Sequence, residues 1–213
     1  ASGRQTLAAT RIAAHAAPDL PVDRARPGEA GRHGTAVGRA VHGALEHAPF
    51  DDADVSALAR EHAINEGVAD EVPRIETLIR AGLASDVVRA AAGARHWREL
   101  YVAAPLVDDP GSPVVEGFID LAYLDDGPNE PGLVIVDYKT DAVVDDADRL
   151  AKASRYRLQG ATYALAAERA TGLTVKRVVF CFLSADGAVE LDIEDLPSAM
   201  SDVADVVRDM TDG

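Results

Sequence analysis

The spacing of hydrophobic residues first changes near Trp97. Before that point, apolar side chains recur three and four residues apart, as on the buried face of a helix. This spacing predicts four helices, over residues 35–48, 54–66, 69–82 and 85–92. Pro49 ends the first of them, and Ser85 is a suitable N-cap for the last. The first half of the chain is therefore predicted to be helical.

Further along, short runs of alternating or continuously apolar residues predict strands. Three of them predict an antiparallel meander, over residues 97–107, 114–124 and 133–138. A long helix over residues 146–171, closed by Gly172, leads to two further strands over 175–183 and 188–193. The crossover through that helix predicts a parallel neighbour for the fourth strand, and Asp186-Gly187 predicts a hairpin.

Together with a terminal helix predicted over residues 196–210, these elements indicate an α/β fold. We expect a mixed sheet of about five strands, flanked by helices and preceded by the helical region. Hydrophobic residues make up 47% of the chain, which favours a packed core over disorder. No apolar run approaches the roughly 20 residues of a membrane span, so no membrane association is expected.

The N-terminal segment lacks this periodicity. Residues 18–34 are rich in Pro, Gly, Arg and Ala and are predicted to form a loop or linker, whereas Ala-rich residues 6–17 are a possible helix. The chain begins Ala1-Ser2-Gly3, which we expect to be a tag remnant joined to a fragment of a longer protein. We therefore predict an N-terminal segment over residues 1–33 and a single domain over residues 34–213.

The formal net charge of −15 limits how the chain could bind nucleic acid. A free-standing DNA-binding domain usually has a basic face, because neutralising phosphates supplies most of its non-specific affinity. If this chain acts on nucleic acid, metal ions must offset its carboxylates, or another module must deliver the strand. The single Cys181 excludes an internal disulfide and a zinc knuckle and is compatible with a reducing cytoplasm.

The run Val134-Ile135-Val136 predicts a short buried strand that leads directly into Asp137, Tyr138 and Lys139. Because side chains alternate along a strand, Asp137 and Lys139 leave one face and Tyr138 leaves the other. One interpretation is an ion pair that caps the strand. The other is a metal-binding carboxylate beside a catalytic lysine.

Two more carboxylates fall on neighbouring predicted strands. Asp120 lies within its strand, where an ionised carboxylate needs a partner or a metal unless it faces solvent from an edge. Regular alternation places Ile119 and Leu121 on one face. Glu99 is either a surface residue or a third carboxylate beside Asp120 and Asp137. Three converging oxygen donors suit a hard cation, Mg²⁺ or Mn²⁺.

Three further polar residues lie on predicted helices. His42 adjoins the apolar face of its helix, as a core residue or as a metal ligand. Gln159 and Tyr163 are four residues apart and share a helix face, with Tyr156 one turn earlier. They either pack in the core or donate hydrogen bonds to nucleic acid.

In this order, these motifs resemble the RecB/AddA-type nuclease domain, a member of the PD-(D/E)XK superfamily found at the C-terminus of UvrD-like helicases. The matching stretches are Gly34-Thr35-x-x-Gly38-x-x-x-His42, Arg98-Glu99, Gly117-Phe118-Ile119-Asp120-Leu121, Asp137-Tyr138-Lys139-Thr140-Asp141 and Gln159-x-x-x-Tyr163. The resemblance implies a restriction-endonuclease-like sheet and metal-dependent hydrolysis of DNA.

The resemblance also implies a role for each residue. Metal ligands are implied at His42, Asp120, Asp137 and the backbone carbonyl of Tyr138, with Mg²⁺ or Mn²⁺ as the cofactor. Asp120, Asp137 and Glu99 would form the acidic part of the active site. Lys139 would be the catalytic lysine, and Gln159 and Tyr163 would be supporting residues. Some relatives hold an iron–sulfur cluster through four cysteines, which a chain with one cysteine cannot do.

By the same resemblance, the partners are DNA and a UvrD-like helicase motor in the same or a partner polypeptide. The expected activity is exonucleolytic, mainly on a single strand, in double-strand break processing and recombinational repair at the nucleoid in the cytoplasm. The alternative is a catalytically inactive PD-(D/E)XK module that binds DNA or another protein. The presence of both the acidic residues and Lys139 favours the enzyme.

Overall fold

The computed structural model describes residues 5–16, 35–51, 54–109, 111–127, 130–141 and 143–212, so the linker predicted over residues 18–34 lies outside these ranges. In chain order the elements are β1 (Thr6–Ala8), α1 (Ala9–Ala16), α2 (Ala36–His47), α3 (Val55–Asn65), a short 3-10 helix (Ala69–Glu71), α4 (Val72–Leu83), α5 (Asp86–Ala92), β2 (His96–Pro105), β3 (Val114–Asp125), β4 (Gly132–Lys139), α6 (Asp146–Thr171), β5 (Val175–Ser184), β6 (Gly187–Asp192) and α7 (Leu196–Asp212). The predicted helices and strands are confirmed to within a few residues, and the possible N-terminal helix is α1.

Two helix starts show how local sequence determines the boundaries. The hydroxyl of Thr35 accepts a hydrogen bond from the Gly38 amide at 3.1 Å, which satisfies one of the free donors at the start of α2. Ser85 occupies the N-cap position of α5 as predicted, but its side chain accepts no cap bond. Its hydroxyl donates to the Gly82 carbonyl at 2.6 Å and thus closes the end of α4 instead.

The sheet is built around β3. On one side β3 pairs antiparallel with β2, and on the other its first residues pair parallel with β1 and its last residues antiparallel with β4. A crossover through α6 makes β4 and β5 parallel, and a two-residue hairpin makes β5 and β6 antiparallel. At that hairpin Gly187 adopts a φ of 121°, which only glycine tolerates readily. The predicted meander, crossover and hairpin are confirmed, and β1 is an additional sixth strand.

Helices cover both faces of this mixed sheet. On one face, α2, α3, α4 and α5 pack against apolar strand residues that include Val136 and Cys181. On the other, α1, α6 and α7 pack against residues that include Ile135 and Val178. The α/β class is therefore confirmed. No helix in the described ranges has the length and apolarity needed to cross a membrane.

Side-chain alternation breaks at one point shared by β2 and β3. Ile119 packs into the core of α1, α6 and α7, whereas Leu121 packs into the opposite core, so the expectation that they share a face is wrong. The backbone explains the break, because Glu99 adopts a left-handed φ of 46° and the ladder passes from Leu100↔Ile119 directly to Arg98↔Leu121. As a result, Glu99 and Asp120 leave the regular pleat side by side.

Replacing Gly160 of α6 with Ala is expected to destabilise the protein. A Cβ there would lie 2.6 Å from Ile193 Cδ1 and 2.8 Å from Val178 Cγ1. Such overpacking costs about 1–3 kcal/mol, which outweighs the roughly 1 kcal/mol that Ala gains over Gly within a helix. The measurement is the free energy of unfolding in urea. Gly93→Ala is the control, because its Cβ would meet only the Ala90 carbonyl at 3.8 Å. Equal stability of Gly160→Ala and wild type would contradict this packing.

Candidate active site

The candidate site lies where β3 and β4 separate. Their ladder ends at Leu121↔Val136, so Asp120 and Asp137 are the first residues beyond it. The Tyr138 amide, which the ladder leaves free on this side, donates to Asp120 Oδ2 at 2.6 Å. A carboxylate therefore replaces the strand partner, as a buried backbone donor requires.

Three donor groups converge beside this opening. His42 from α2, Glu99 from β2 and Asp120 from β3 place ligand atoms within 4.8 Å of one another. His42 Nδ1 lies 3.0 Å from Asp120 Oδ1. An imidazole and two carboxylates form a donor set that suits a hard or borderline divalent cation. Of the predicted ligands, the structure thus brings His42 and Asp120 together and adds Glu99.

The His42–Asp120 pair is charged when no metal is bound. Burial lowers the pKa of His42, but the carboxylates of Asp120 and Asp137 together more than offset this and raise that pKa to about 8. Burial likewise raises the pKa of Asp120, but His42 outweighs that effect, and the pKa falls below its ordinary value. A divalent cation would therefore displace a proton from His42 when it binds.

Asp137 and Lys139 form a second charged pair on the opposite side of β4, as the alternation predicted. Lys139 Nζ lies 2.6 Å from Asp137 Oδ2, and Asp137 is 4% exposed. Burial raises the pKa of Asp137 and would lower that of Lys139, but the carboxylate keeps the pKa of Lys139 above its ordinary value. Lys139 is the only described donor in contact with Asp137 Oδ2, which leaves the second lone pair of this oxygen without a partner. This buried oxygen has unused acceptor capacity, which fits a cation ligand.

Gln159 and Tyr163 hold this second pair from α6. Gln159 Nε2 donates to Tyr163 Oη at 2.8 Å and approaches Asp137 Oδ1 at 3.5 Å, while Lys139 Nζ donates to Gln159 Oε1 at 3.4 Å. Both residues are buried, at 7% and 5% exposure. Gln159 contacts the acid and the lysine, and Tyr163 contacts Gln159, so their geometry is that of positioning residues behind the site.

Tyr138 connects the two sides of β4. Its ring packs edge-on against His42, with centroids 6.0 Å apart, and its amide binds Asp120. Its backbone carbonyl remains a predicted metal ligand. The carboxylates of Asp120 and Asp137 both raise the pKa of His42, which places the two acids in one electrostatic neighbourhood. The residues present therefore fit a divalent cation.

Arg98 and Tyr156, to which the resemblance gives no role of their own, contact the residues around the site. Arg98 Nη1 donates to the carbonyls of Leu45, Glu46 and Ala48, at 2.9, 3.1 and 2.6 Å, and so binds the C-terminal end of α2 to β2. Tyr156 places its ring 4.4 Å from Lys139 Nζ. The signal for Arg98 was a charged residue next to Glu99 at the start of a largely apolar strand, and the signal for Tyr156 was its i, i+3 spacing to Gln159.

Comparison with curated proteins gave no match. Among solved structures the chain is similar to one described as the crystal structure of SSO0001, with 12% identity, 81% of this chain and 84% of that chain covered, and a TM-score of 0.40. A family model described as the PD-(D/E)XK nuclease superfamily matches residues 16–213. The chain belongs to the PD-(D/E)XK nuclease superfamily.

Without metal, the stability of the protein is expected to fall as the pH rises through 8. The folded pKa of His42 exceeds its unfolded value of 6.5, so its contribution is complete below that pH and is lost as the pH passes about 8. The shift corresponds to at most about 2 kcal/mol. Urea unfolding in EDTA should show this loss for wild type and a smaller one for His42→Gln. Identical pH profiles for the two proteins would contradict the assigned pair.

Replacing Gly117 with Ala is expected to displace Tyr163. A Cβ at Gly117 would overlap the ring of Tyr163, which is buried and bound to Gln159. We expect a loss of about 1–3 kcal/mol in the free energy of unfolding. In a Tyr163→Ala background the same substitution should cost little, because the overlapping ring is gone. Additive losses in the double variant would show that Tyr163 is not the cause.

Proposed function

We propose that this chain is the nuclease domain of a helicase–nuclease and hydrolyses DNA phosphodiester bonds with Mg²⁺ or Mn²⁺. The observation that supports this most strongly is the convergence of His42, Glu99 and Asp120 next to the buried Asp137–Lys139 pair. The RecB/AddA-type subfamily, the UvrD-like motor, preference for a single strand and exonucleolytic break processing rest on the motif set. The domain bounds of residues 34–213 and the location at the nucleoid in the cytoplasm also rest on the motif set.

The residue types account for the chemistry. A divalent cation at the carboxylates would polarise the scissile phosphate and make an attacking water more acidic. Lys139 retains its proton at neutral pH, because Asp137 raises its pKa. It therefore acts as a positive charge that stabilises phosphate oxygens, and not as a base. Gln159 fixes Lys139 and Asp137 in place, so no reorganisation is needed during the reaction.

The charge of the chain makes the cation necessary. With a net charge of −15, the protein repels DNA at long range, and the carboxylates of the site repel phosphate at short range. A bound cation removes the local repulsion. A motor that delivers the strand would overcome the long-range one, which agrees with the proposed helicase context.

The alternative is an inactive module of the same fold. His42–Asp120 and Asp137–Lys139 are both satisfied as ion pairs, so the charged residues could serve the fold alone. A DNA cleavage assay separates the two possibilities, because only an active enzyme has a cleavage rate that replacing Lys139 can lower.

Cleavage of labelled single-stranded and duplex DNA in Mg²⁺, Mn²⁺ and EDTA tests the proposal. We expect metal-dependent cleavage that falls by about 10²-fold or more in Asp137→Ala and Lys139→Ala. Lys176→Ala and Asp192→Ala are matched controls, because these residues pair with Asp125 and Arg177 on the strand surface. Cleavage that survives Asp137→Ala in a contaminant-free preparation would refute the assignment.

If the wild-type protein cleaves no DNA, the metal site is tested by a binding measurement instead. Titration of Mn²⁺ by calorimetry should show binding by wild type and a large loss in Asp137→Ala and Asp120→Ala. Equal binding by wild type and both variants would show that these carboxylates hold no cation and would favour the inactive module.

A further inference from the structure

Two aromatic rings lie on the sheet next to the candidate active site. Tyr101 of β2 is directly opposite Phe118 of β3 in the ladder. Their ring centroids are 5.1 Å apart and tilted by 48°. Tyr101 is 50% exposed, so much of its ring is open to solvent on β2, which pairs only with β3 among the described strands.

The rings lie on the same face of the sheet as the metal-ligand cluster. Their strand neighbours Val102 and Ile119 pack into the core of α1, α6 and α7, so Tyr101 and Phe118 leave the sheet on the α2 side. That is the side from which His42 reaches Asp120. Neither ring belongs to the hydrophobic core beneath α2–α5.

The distance to the site is short and set by the strands. Tyr101 follows Glu99 by two residues, and Phe118 precedes Asp120 by two residues. Two residues of strand span about 7 Å. The Cα atoms of Tyr101 and Phe118 therefore lie about 7 Å along their strands from those of Glu99 and Asp120. The two rings are next to the candidate site on the same face of the sheet.

The position of the Tyr101 ring is fixed before any ligand binds. Its hydroxyl donates to Glu116 Oε2 at 2.5 Å, and its ring contacts Phe118. A cross-strand aromatic pair also stabilises a sheet, which accounts for the contact between the rings. Sheet stability does not require half of Tyr101 to face solvent beside a nuclease site.

The charge beside the rings limits what can bind there. The carboxylate of Glu116 would repel a phosphate, so the surface does not suit the backbone of a nucleic acid. An aromatic face suits a neutral, flat, unpaired base, and stacking of this kind tolerates any base sequence. Bases in a duplex are already stacked and paired, so their faces are not available.

We propose that Tyr101 and Phe118 form a stacking platform for the bases of a single DNA strand whose phosphate lies at the Asp120–Asp137 site. This inference rests on the proposed nuclease function and names the residues that would bind the bases of its substrate. Single strands are preferred because only unpaired bases reach the rings, and the sequence of the strand matters little.

Binding of a fluorescent oligothymidylate tests the platform directly. The background is Lys139→Ala in Mg²⁺, which prevents cleavage while the strand binds. Tyr101→Ala should weaken binding on the order of 5- to 150-fold, the range measured for removing one base–aromatic stack. Tyr101→Phe keeps the ring and should stay close to the parent, whereas Tyr101→Leu keeps the bulk and should resemble Tyr101→Ala. Ile64→Ala, a 59% exposed apolar residue on α3, should change nothing.

An oligomer of tetrahydrofuran abasic units identifies the contacted group. The parent should bind this oligomer more weakly than oligothymidylate, because the abasic units offer no base for stacking. Tyr101→Ala should bind the two oligomers about equally, because it has no ring at position 101 on which a base could stack. Failure of the parent to bind oligothymidylate, equal binding by Tyr101→Ala, or equal losses with both oligomers would overturn the platform and leave the surface to a protein partner or to sheet stability. Cleavage is measured separately, on the wild-type protein with Lys139 intact. If that protein does not cleave DNA, the binding experiment still decides whether the platform exists.

Discussion

The buried ion pair of Asp137 and Lys139 is the constraint on which the surrounding structure depends. Either charge alone at this depth would cost several kcal/mol, so each must have the other within contact distance, and they lie 2.6 Å apart. The period of a strand puts residues two apart on the same face, which supplies the pairing. Gln159 supplies the remaining polar contacts, and α6 can approach closely enough because Gly160 presents no side chain to β5.

The candidate site forms where β3 and β4 separate, next to this buried ion pair. Once the ladder ends, the Tyr138 amide needs an acceptor, and Asp120 provides it. The break at Glu99 then brings a second carboxylate next to Asp120, opposite His42. The same groups that satisfy the end of the sheet therefore form the donor set for a cation. Removing any one of them affects both the fold and the chemistry.

Features that depend on interactions between residues close in sequence could be predicted, and features that depend on contacts between distant residues could not. The helices and the parallel β4–β5 pair were predictable, because periodicity and the crossover rule act over short stretches. β1 was missed, since three residues that run into an Ala-rich helix carry no periodic signal. The N-cap position of Ser85 was predicted, but not that its hydroxyl binds the Gly82 carbonyl. The expectation that Ile119 and Leu121 share a face was wrong, because the left-handed Glu99 interrupts the alternation of side chains.

The sequence by itself determined the α/β class, the order of the elements and the residue types available for chemistry, since these depend on local spacing and composition. It also placed Asp137 and Lys139 side by side. Only the tertiary structure decided that His42, Glu99 and Asp120 form one cluster and that Arg98 binds α2 to β2. His42 and Asp120 are 78 residues apart in the chain, and periodicity specifies which face a residue occupies, not which distant element meets it there.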